Sequence, residues 1–427
     1  MTLRPDTYRA RAVDPLVEAY LRAFGAVEII GSKWCGKTWT ALAHGNSVIR
    51  LDDPHVRALV EADPDLALEG ESPHIVDEWQ EVPSVWDATR RAVDDAAGKK
   101  GLFLLTGSSS PSKGSVVHSG TGRIARLHMR PMSLSELGES DETVSLSGLF
   151  EGEFRKGPVN TDLRRIAQLI CQGGWPASLT LEEDASDLIA AQYLDTLLSS
   201  DFENGRPSAH VMRRLLVSLA RNLGGAVTYK TLAADLSEGQ DVVVQTRQAI
   251  ERYLEILEDR YIIENLSGWD APVKSRSRVR VKPKRSFVDP SLPASLLGMS
   301  PTRLMGESQV FGQLFEEMCL RDLRVYASAM RLALPEPVRY YRDSDGLEVD
   351  AVIELRDGRW AGIEVKLGDN KAEEGARSLL RLRDKVAANP AARNPEPSFL
   401  MVLVAKAPFR YQTPEGVYVV PLTSLTT

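Results

Sequence analysis

Gly31-Ser-Lys-Trp-Cys-Gly-Lys-Thr38 follows the pattern G-x-x-x-x-G-K-[ST], in which a glycine-rich turn between a strand and a helix binds phosphate. Glycines at both ends let the backbone curl, so that its N–H groups point inward at an anion. The context agrees, because residues 26–30 read as a buried strand and residues 38–43 as a helix. The stretch therefore predicts a parallel-sheet, nucleotide-binding α/β core.

Within this loop each residue type has an expected role. The Lys37 ammonium should reach the β- and γ-phosphates of ATP, and the Thr38 hydroxyl can bind Mg²⁺. We expect ATP and Mg²⁺ as cofactors, and the nucleotide-binding residues are predicted to be Gly31, Ser32, Lys33, Cys35, Gly36, Lys37 and Thr38.

Length and composition limit the class of protein. At 427 residues the chain is long enough for about three domains. A formal net charge of −7 argues against wholesale coating by nucleic acid, although not against a local basic patch. The three cysteines lack metal-ligand spacing, and there is no apolar run of membrane-spanning length and no leader pattern. We expect a cytoplasmic protein without a membrane partner.

A second motif follows about forty residues after the loop. Residues 73–76 form a short apolar strand that ends in Asp77-Glu78, the Walker B arrangement. Asp77 would hold Mg²⁺, and Glu78 would orient the attacking water. The alternative is an exposed acidic turn after an edge strand.

Hydroxyls and arginines come next. The apolar strand 101–105 ends in Thr106, and Thr106 or Ser108 could contact the γ-phosphate or the water, because strand carboxyl ends meet at the ligand crevice. The alternative is a hydroxyl-capped loop. Arg123, after a glycine-rich turn, is the first candidate for an arginine finger, in cis or from a neighbouring subunit, ahead of Arg126 and Arg130.

These motifs carry a resemblance. Asp77-Glu-Trp-Gln80, Leu105-Thr-Gly-Ser108, Met129-Arg-Pro-Met-Ser-Leu134 and Gly173-Gly-Trp-Pro176 occur in the same order as in the bacterial and archaeal AAA-type ATPases with a C-terminal domain of unknown function, which the chain resembles along nearly its whole length. The resemblance implies an ATPase coupled to a winged helix and a restriction-endonuclease-like domain. One departure is His74, where an aliphatic residue is expected in the Walker B strand.

The middle of the chain reads as helical. Residues 161–203, interrupted at Gly173-Gly-Trp-Pro176, predict a small helical lid over the nucleotide. Helices at 212–223, 228–236 and 243–257, followed by a strand within 257–266, predict a winged helix. If it binds DNA, the exposed recognition face would carry Gln245, Thr246, Arg247 and Arg252. The alternative is a pure packing module.

A basic stretch follows the winged helix. Every even position from Lys274 to Lys284 carries lysine or arginine. In an extended strand these side chains share one face at intervals of about 6.5 Å, close to the phosphate spacing along one DNA strand. The stretch 274–285 is therefore a candidate contact for double-stranded DNA, the alternative being a solvated basic strand.

Acidic residues and a lysine recur in the C-terminal third. A predicted hairpin carries Asp350 on one strand and Glu364-x-Lys366 on the next, with Glu316 on a preceding helix. Asp350, Glu364 and Glu316 would bind Mg²⁺, and Lys366 would position or activate water for phosphodiester hydrolysis. The pattern resembles the restriction-endonuclease-like fold. The same residues could instead form a DNA-binding scaffold or an ion-paired strand pair.

Together these features predict an α/β protein with a P-loop ATPase domain (1–158), a helical lid (159–207), a winged-helix domain with a basic strand (208–286) and a restriction-endonuclease-like domain (287–427). The expected function is a DNA-directed ATPase whose nucleotide state controls a metal-dependent nuclease. A homo-oligomer is one arrangement that we consider for it. One alternative is a nucleotide-switched regulator without cleavage, and another is an ATPase whose last domain only grips DNA or protein.

Overall fold

The structure is a computed structural model, and it describes residues 3–108, 120–181, 185, 188–202, 208–237, 246–270 and 282–427. The contacts group the chain into two compact units. The first comprises Met1–Pro131 with Leu257–Ile262, and the second comprises Met132–Ile256 with Ile263–Thr427. Within the described residues, no helix is both long enough and apolar enough to cross a membrane.

The first unit is built on a parallel sheet with the strand order β2-β3-β4-β1-β5. Its three inner strands are short and buried along their whole length, as a parallel sheet covered by helices requires, whereas its two edge strands are partly exposed. The elements are α1 (Asp14–Ala23), β1 (Ala26–Ile30), α2 (Lys37–His44), β2 (Ser47–Arg50), α3 (Pro54–Ala62), β3 (His74–Asp77), α4 (Ser84–Asp95), β4 (Phe103–Gly107) and β5 (Ile124–His128). The predicted P-loop core is confirmed.

The unusual histidine of the Walker B strand has a structural role. His74 is buried, and its Nδ1 lies 2.6 Å from the Ser47 hydroxyl of the neighbouring strand β2. Burial lowers the pKa of His74, so that the neutral imidazole is favoured. A neutral, hydrogen-bonded ring occupies the position where an aliphatic side chain is expected, and β3 still pairs with β2 and β4.

The second unit combines helices with a mixed sheet. Its elements are α5 (Leu134–Leu137), β6 (Val144–Ser145), α6 (Leu146–Phe150), β7 (Gly157–Pro158), α7 (Leu163–Gln172), α8 (Leu188–Phe202), α9 (Ala209–Arg221), α10 (Tyr229–Ser237), α11 (Arg247–Asp259), β8 (Ile263–Leu266), β9 (Lys284–Phe287), α12 (Ser291–Leu296), α13 (Pro301–Gly306), α14 (Ser308–Ala329), β10 (Ala333–Arg342), β11 (Glu348–Leu355), β12 (Trp360–Gly368), α15 (Ala372–Ala387), β13 (Phe399–Lys406), β14 (Phe409–Gln412), β15 (Tyr418–Pro421) and β16 (Leu425–Thr426).

The sheet runs in the order β10-β11-β12-β13-β15-β14-β7. Strands β10, β11 and β12 form an antiparallel meander, and β12 then pairs in parallel with β13 after the crossover helix α15. Helix α14 precedes the meander, which gives the order α-β-β-β-α-β. A mixed sheet of this kind agrees with the predicted C-terminal α/β domain.

Helices α9, α10 and α11 lie at the positions predicted for the winged helix. The strand expected within 257–266 begins only at Ile263, because α11 continues to Asp259 and Tyr261 then adopts a left-handed backbone with φ of 55°. Strand β8 pairs with β9 as an antiparallel hairpin. Gln245 and residues 274–281 lie outside the described residues.

The predicted domain boundary at residue 158 differs from the division into compact units, which falls after Pro131. One cause lies in the motifs shared with the resembled family. The Met132 amide donates to the Gly174 carbonyl at 2.6 Å, and the Gly174 amide donates to Asp289 Oδ2 at 2.8 Å. Asp289 in turn accepts from the buried Arg321 at 3.0 Å. These motif residues tie the chain after 131 into the second unit, and the four-domain division stays a prediction.

Candidate functional site

The phosphate-binding loop lies between β1 and α2, where its glycines are required. Gly31 has φ of 150°, and a Cβ there would lie 2.0 Å from the Met129 carbonyl oxygen. Gly36 has φ of 103° and caps the amino end of α2. Only glycine fits the first position without a clash, and the second position favours glycine because its backbone is left-handed.

Lys37 folds back over the phosphate-binding loop. Its Nζ donates to the carbonyl oxygens of Gly31 at 3.0 Å and Ser32 at 2.8 Å, and only 5% of the residue is exposed. The Ser32 hydroxyl is buried and has no hydrogen-bond partner among the residues that the structure describes. A buried ammonium on two carbonyl oxygens and an unsatisfied hydroxyl fit a bound phosphate, whose oxygens would satisfy both groups.

The other predicted loop residues contribute less through their side chains. Cys35 is buried, with its thiol 3.7 Å from the Met129 carbonyl oxygen, so only its backbone is available to a ligand. Lys33 is partly buried, while Trp34 has a left-handed backbone with φ of 64° and is 44% exposed.

Arg11 holds the loop in place through backbone carbonyl groups, although it belongs to none of the predicted motifs. Its guanidinium donates from Nη1 to the Cys35 carbonyl and from Nη2 to the Arg130 carbonyl, both at 2.8 Å. The residue is 6% exposed. Arg11 therefore fixes the phosphate-binding loop to the end of β5. The contacts are separated by 24 and 119 residues, and no motif marks them.

The predicted magnesium ligands come together at the carboxyl edge of the sheet. The Thr38 hydroxyl donates to Asp77 Oδ1 at 2.9 Å, and the buried Thr106 hydroxyl donates to the same oxygen. Burial raises the pKa of Asp77, and the two hydroxyl donors partly offset this by lowering it. A carboxylate beside a threonine hydroxyl fits Mg²⁺, which prefers oxygen ligands.

Glu78 follows Asp77 with a left-handed backbone, φ 55°. Its Oε2 accepts from the Ser108 hydroxyl at 3.0 Å and from the Gln80 amide, and its own amide donates to the Thr106 hydroxyl at 3.3 Å. A non-glycine residue in this backbone region is strained and persists where the surroundings hold it. Thr106 and Ser108 thus position the acidic pair, a role that differs from the predicted direct contact with phosphate.

The structure contradicts Arg123 as an arginine finger in cis. Arg123 precedes β5, and the register of Ala26 opposite Ile124 places it at the amino edge of the sheet, opposite the phosphate-binding loop. At about 3.3 Å per residue, a five-residue strand separates the two edges by about 16 Å. Arg123 instead pairs with Asp94 at 2.8 Å. A role from a neighbouring subunit stays a prediction.

The two lower-ranked arginines lie elsewhere on β5. The Arg126 guanidinium lies in the middle of β5 and donates to the buried Glu28 of β1 at 2.7 Å, so that it pairs with a carboxylate within the sheet. Arg130 follows the end of β5 and so lies at the edge that carries the phosphate-binding loop. Of the three predicted candidates, Arg130 alone is on the correct edge to act in cis.

In the second unit, the predicted hairpin forms and brings Asp350 beside Glu364. The register of Ala351 opposite Ile363 makes Asp350 and Glu364 neighbours across β11 and β12. Asp350 Oδ2 accepts from the Val365 amide at 2.8 Å. Lys366 Nζ donates to Glu364 Oε2 at 2.8 Å. The strand-face constellation expected from the sequence is therefore assembled.

Glu316, on α14, reaches the same cluster but meets a cation that the sequence did not predict there. Lys284 Nζ lies 2.5 Å from Glu348 Oε1 and 3.8 Å from Glu316 Oε1. Glu316 Oε1 is buried and accepts no hydrogen bond from the described part of the chain. Across the described ranges, no three histidine, cysteine, aspartate or glutamate side chains are arranged to hold a metal. The residues thus fit a metal only incompletely as they stand.

Crowding of carboxylates shapes the electrostatics of this cluster. Burial, followed by the charge of Asp350, raises the pKa of Glu364 to about 8. Burial and the same aspartate raise the pKa of Glu316 to about 7, while the Lys284 and Lys366 ammonium groups act in the opposite direction. Perturbed carboxyl groups that gather in one place are typical of functional sites, although ion-pair networks also produce them.

The winged-helix surface has an arginine–tyrosine stack. The guanidinium groups of Arg247 and Arg285 lie 5.1 and 5.5 Å from the centre of the Tyr229 ring. Arg252 is exposed on α11, whereas the Thr246 hydroxyl caps the helix by accepting from the Ala249 amide at 3.2 Å. The cap uses Thr246 within the fold, so that the exposed candidates for phosphate contact on α11 are its arginines.

Lys284 corrects the prediction for the basic stretch. The alternation of basic residues predicted that Lys284 shares an exposed face with the two lysines and three arginines before it. It is instead only 4% exposed, and its ammonium lies among carboxylates. Residues 274–281 lie outside the described part of the chain, so their side of the prediction is not tested.

Family comparisons agree with this geometry. An AAA domain matches residues 24–138, which contain the phosphate-binding loop and Asp77-Glu78. A domain of unknown function, DUF4143, matches residues 311–425, and another, DUF8612, matches residues 163–303. Residues 24–138 are therefore similar to the AAA domains of P-loop ATPases. The region that matches DUF4143 begins within α14 and contains strands β10 to β15 of the mixed sheet.

Relatives and solved structures complete the comparison. Uncharacterised proteins of Mycobacterium tuberculosis and Mycobacterium bovis are each 28% identical over 349 residues, which cover 80% of this chain and 70% of theirs. A Walker-type ATPase of Pyrococcus abyssi aligns with a TM-score of 0.45 at 13% identity, covering 69% of this chain and 99% of that chain. The ORC2 protein of Aeropyrum pernix aligns with a TM-score of 0.34 at 13% identity, covering 75% and 98%.

Proposed function

We propose that this protein binds and hydrolyses ATP with Mg²⁺ in its first unit, that it acts on DNA, and that its nucleotide state is coupled to a metal-dependent, nuclease-like site in its second unit. The observation that carries the proposal is the assembly of Lys37, Thr38, Asp77 and Glu78 around the phosphate-binding loop. Each group has the chemistry that suits one part of a bound nucleotide.

In the proposed hydrolysis, each residue acts at a definite place. Lys37 exchanges its two carbonyl partners for the β- and γ-phosphate oxygens. Thr38 and Asp77 would hold Mg²⁺, which neutralises phosphate charge when bound. Glu78 accepts the proton of the attacking water, once its carboxylate exchanges the Ser108 and Gln80 donors for that water.

Two substitutions test the hydrolytic part. Lys37→Ala removes the cation that faces the terminal phosphates, so we expect loss of tight ATP binding. Glu78→Gln should bind ATP and hydrolyse none, because an amide cannot act as a base. Fluorescent nucleotide binding and phosphate release measure the two properties. Lys99→Ala, which removes an exposed lysine outside the phosphate-binding loop, is the control. A Glu78→Gln enzyme with wild-type turnover would refute the role of Glu78.

The DNA-directed part rests on charge and chemistry in the second unit. Asp350, Glu364 and Lys366 supply the residue types used in metal-assisted phosphodiester hydrolysis. Arg247 and Arg285, stacked on Tyr229, offer guanidinium groups to a phosphate backbone. If DNA is the partner, it should stimulate ATP turnover, and Arg247→Ala should weaken binding equally for all sequences while reducing its salt dependence.

A second candidate function is a nucleotide-switched DNA- or protein-binding regulator without nuclease activity. The Lys284 ammonium within the carboxylate cluster favours it, since an ion-paired network needs no metal. Incubation of plasmid with the full chain, Mn²⁺ and ATP separates the candidates. Nicking that Asp350→Asn abolishes supports the nuclease. DNA-stimulated ATP turnover with intact plasmid supports the regulator.

A further inference from the structure

The carboxylate cluster of the second unit consists of two ion-paired halves that meet at Asp350. In one half, the Lys284 ammonium lies between Glu348 and Glu316, at 2.5 and 3.8 Å. In the other half, the Lys366 ammonium donates to Glu364 at 2.8 Å. The Lys366 half follows from the E-x-K spacing on β12. The Lys284 half comes from β9, a different part of the fold, and from a residue outside the hairpin motif.

Several contacts hold Lys284 in this position. Its strand β9 pairs with β8, with Lys284 opposite Leu266. Its ammonium lies 5.1 Å from the centre of the Tyr340 ring, within range of a cation–π contact. The side chain is 5% exposed. A buried ammonium of this kind is stable only beside carboxylates, and these carboxylates in turn need a cation.

We infer that the Lys284 ammonium is the resident counter-ion of this cluster, and that a divalent cation binds Asp350 and Glu364 only in competition with it. This inference rests on the metal site of the proposed function. Its physical basis is charge. A divalent ion that draws on Glu316 must take that carboxylate from Lys284, and it must also tolerate a nearby ammonium of the same sign. The proposed competition agrees with the finding that no three side chains of the described residues are arranged to hold a metal.

Substitution of Lys284 by an uncharged residue should therefore create a stronger metal site. We expect Lys284→Met to bind Mn²⁺ at least tenfold more tightly than the wild type, because Glu316 and Glu348 lose the ammonium that they share and no like charge from residue 284 then opposes the metal. The measurement is a Mn²⁺ titration of the nucleotide-free, full-length protein, followed by electron paramagnetic resonance. The same variant should gain a larger rise in melting temperature on addition of Mn²⁺ than the wild type does.

Controls assign the gained site. Lys282→Met removes the same charge from an exposed lysine two residues earlier, and it should leave Mn²⁺ binding unchanged. Asp350→Asn in the Lys284→Met background should abolish the gain. If Lys284→Met does not fold, Lys284→Gln is titrated in its place with the same expected result, because the amide can donate hydrogen bonds to Glu348 without carrying charge.

The outcomes separate this inference from the nuclease proposal. Equal Mn²⁺ affinity in the wild type and the Lys284 variant overturns the inference, as does a gained site that survives Asp350→Asn. A gained, Asp350-dependent site that leaves plasmid intact supports the inference and counts against the nuclease. A gained site with nicking supports both.

Discussion

The role of Thr106 can be tested by removing one hydroxyl without changing the shape of the side chain. Thr106 is fully buried, its hydroxyl donates to Asp77 Oδ1, and it accepts from the Glu78 amide at 3.3 Å. Thr106→Val replaces the hydroxyl with a methyl group of similar volume. The substitution therefore removes a donor from the magnesium ligand and an acceptor from the backbone of the catalytic glutamate.

The expected magnitude follows from these two hydrogen bonds. A bond to a charged group contributes about 1.5–3 kcal/mol, and a buried N–H left unsatisfied costs about 1–3 kcal/mol. Since the hydrogen bond from the Glu78 amide to Thr106 is long, at 3.3 Å, we expect it to contribute at the low end of its range. The unfolding free energy should therefore fall by about 2–4 kcal/mol in total. If the loss of orientation at Asp77 is fully expressed in the transition state, ATP turnover should fall about tenfold to about a hundredfold, at 1.4 kcal/mol per factor of ten.

The loss should also depend on pH and on Mg²⁺. Burial already raises the pKa of Asp77, and the Thr106 hydroxyl lowers it. Thr106→Val therefore raises that pKa further, so a proton competes better with Mg²⁺ as the pH falls. We expect the deficit in ATP turnover to be larger at pH 6 than at pH 8, and to shrink at high Mg²⁺. Thr106→Ser keeps the hydroxyl and is the matched control. Wild-type turnover of Thr106→Val at every pH and Mg²⁺ concentration would refute the reasoning.

Three further substitutions test residues whose roles the structure changed or revealed. Arg11→Ala should weaken fluorescent ADP binding at least tenfold, because the Cys35 carbonyl of the loop and the Arg130 carbonyl after β5 lose their donor at about 1–3 kcal/mol each; Arg11→Lys should recover part of the affinity, and unchanged affinity would remove the positioning role. Arg123→Ala should leave turnover unchanged in dilute protein, since only an exposed ion pair is lost. A wild-type rate that rises with protein concentration and is lost in the variant would instead establish a finger from a neighbouring subunit. Burial raises the pKa of Glu317 to about 8, so the folded state holds a proton that the unfolded state loses above about 4.5. As the pH rises from about 4.5 to about 8, the contribution of Glu317 to stability therefore declines. Glu317→Gln should gain stability relative to the wild type in thermal melts from pH 5 to pH 9, and a constant difference in melting temperature between the two proteins would contradict this.

The P-loop core was predictable because its signals are local. The strand before Gly31 and the strand ending in Asp77 are short apolar runs, each followed at once by its functional residues. In a parallel sheet, the carboxyl ends of such strands share an edge. Sequence spacing alone therefore placed Thr38, Asp77 and Thr106 close together, and the structure joins them by hydrogen bonds.

Edge and register explain the errors. Arg123 lies before the amino end of β5, and Arg130 lies after its carboxyl end. Only the extent of this strand, from Ile124 to His128, decides which of the two arginines is at the edge that carries the phosphate-binding loop. The glycine-rich turn before Arg123 favoured this residue as the arginine finger, but the turn lies at the amino end of β5. Lys284 fits its alternating basic pattern, yet the pairing of β9 with β8 and the position of Tyr340 turn it inward. Neither feature is encoded by residues near Lys284 in sequence.

The two acidic sites also differ in what holds their carboxylates before a metal arrives. At the ATP site, neutral hydroxyls of Thr38 and Thr106 satisfy Asp77. Mg²⁺ can therefore approach that carboxylate without displacing another cation. In the second unit, ammonium groups of Lys284 and Lys366 already neutralise the carboxylates, so a divalent ion must overcome an existing ion pair. The number of acidic residues alone therefore does not set the metal affinity, and we expect the ATP site to take up Mg²⁺ with nucleotide under conditions where the second site binds weakly.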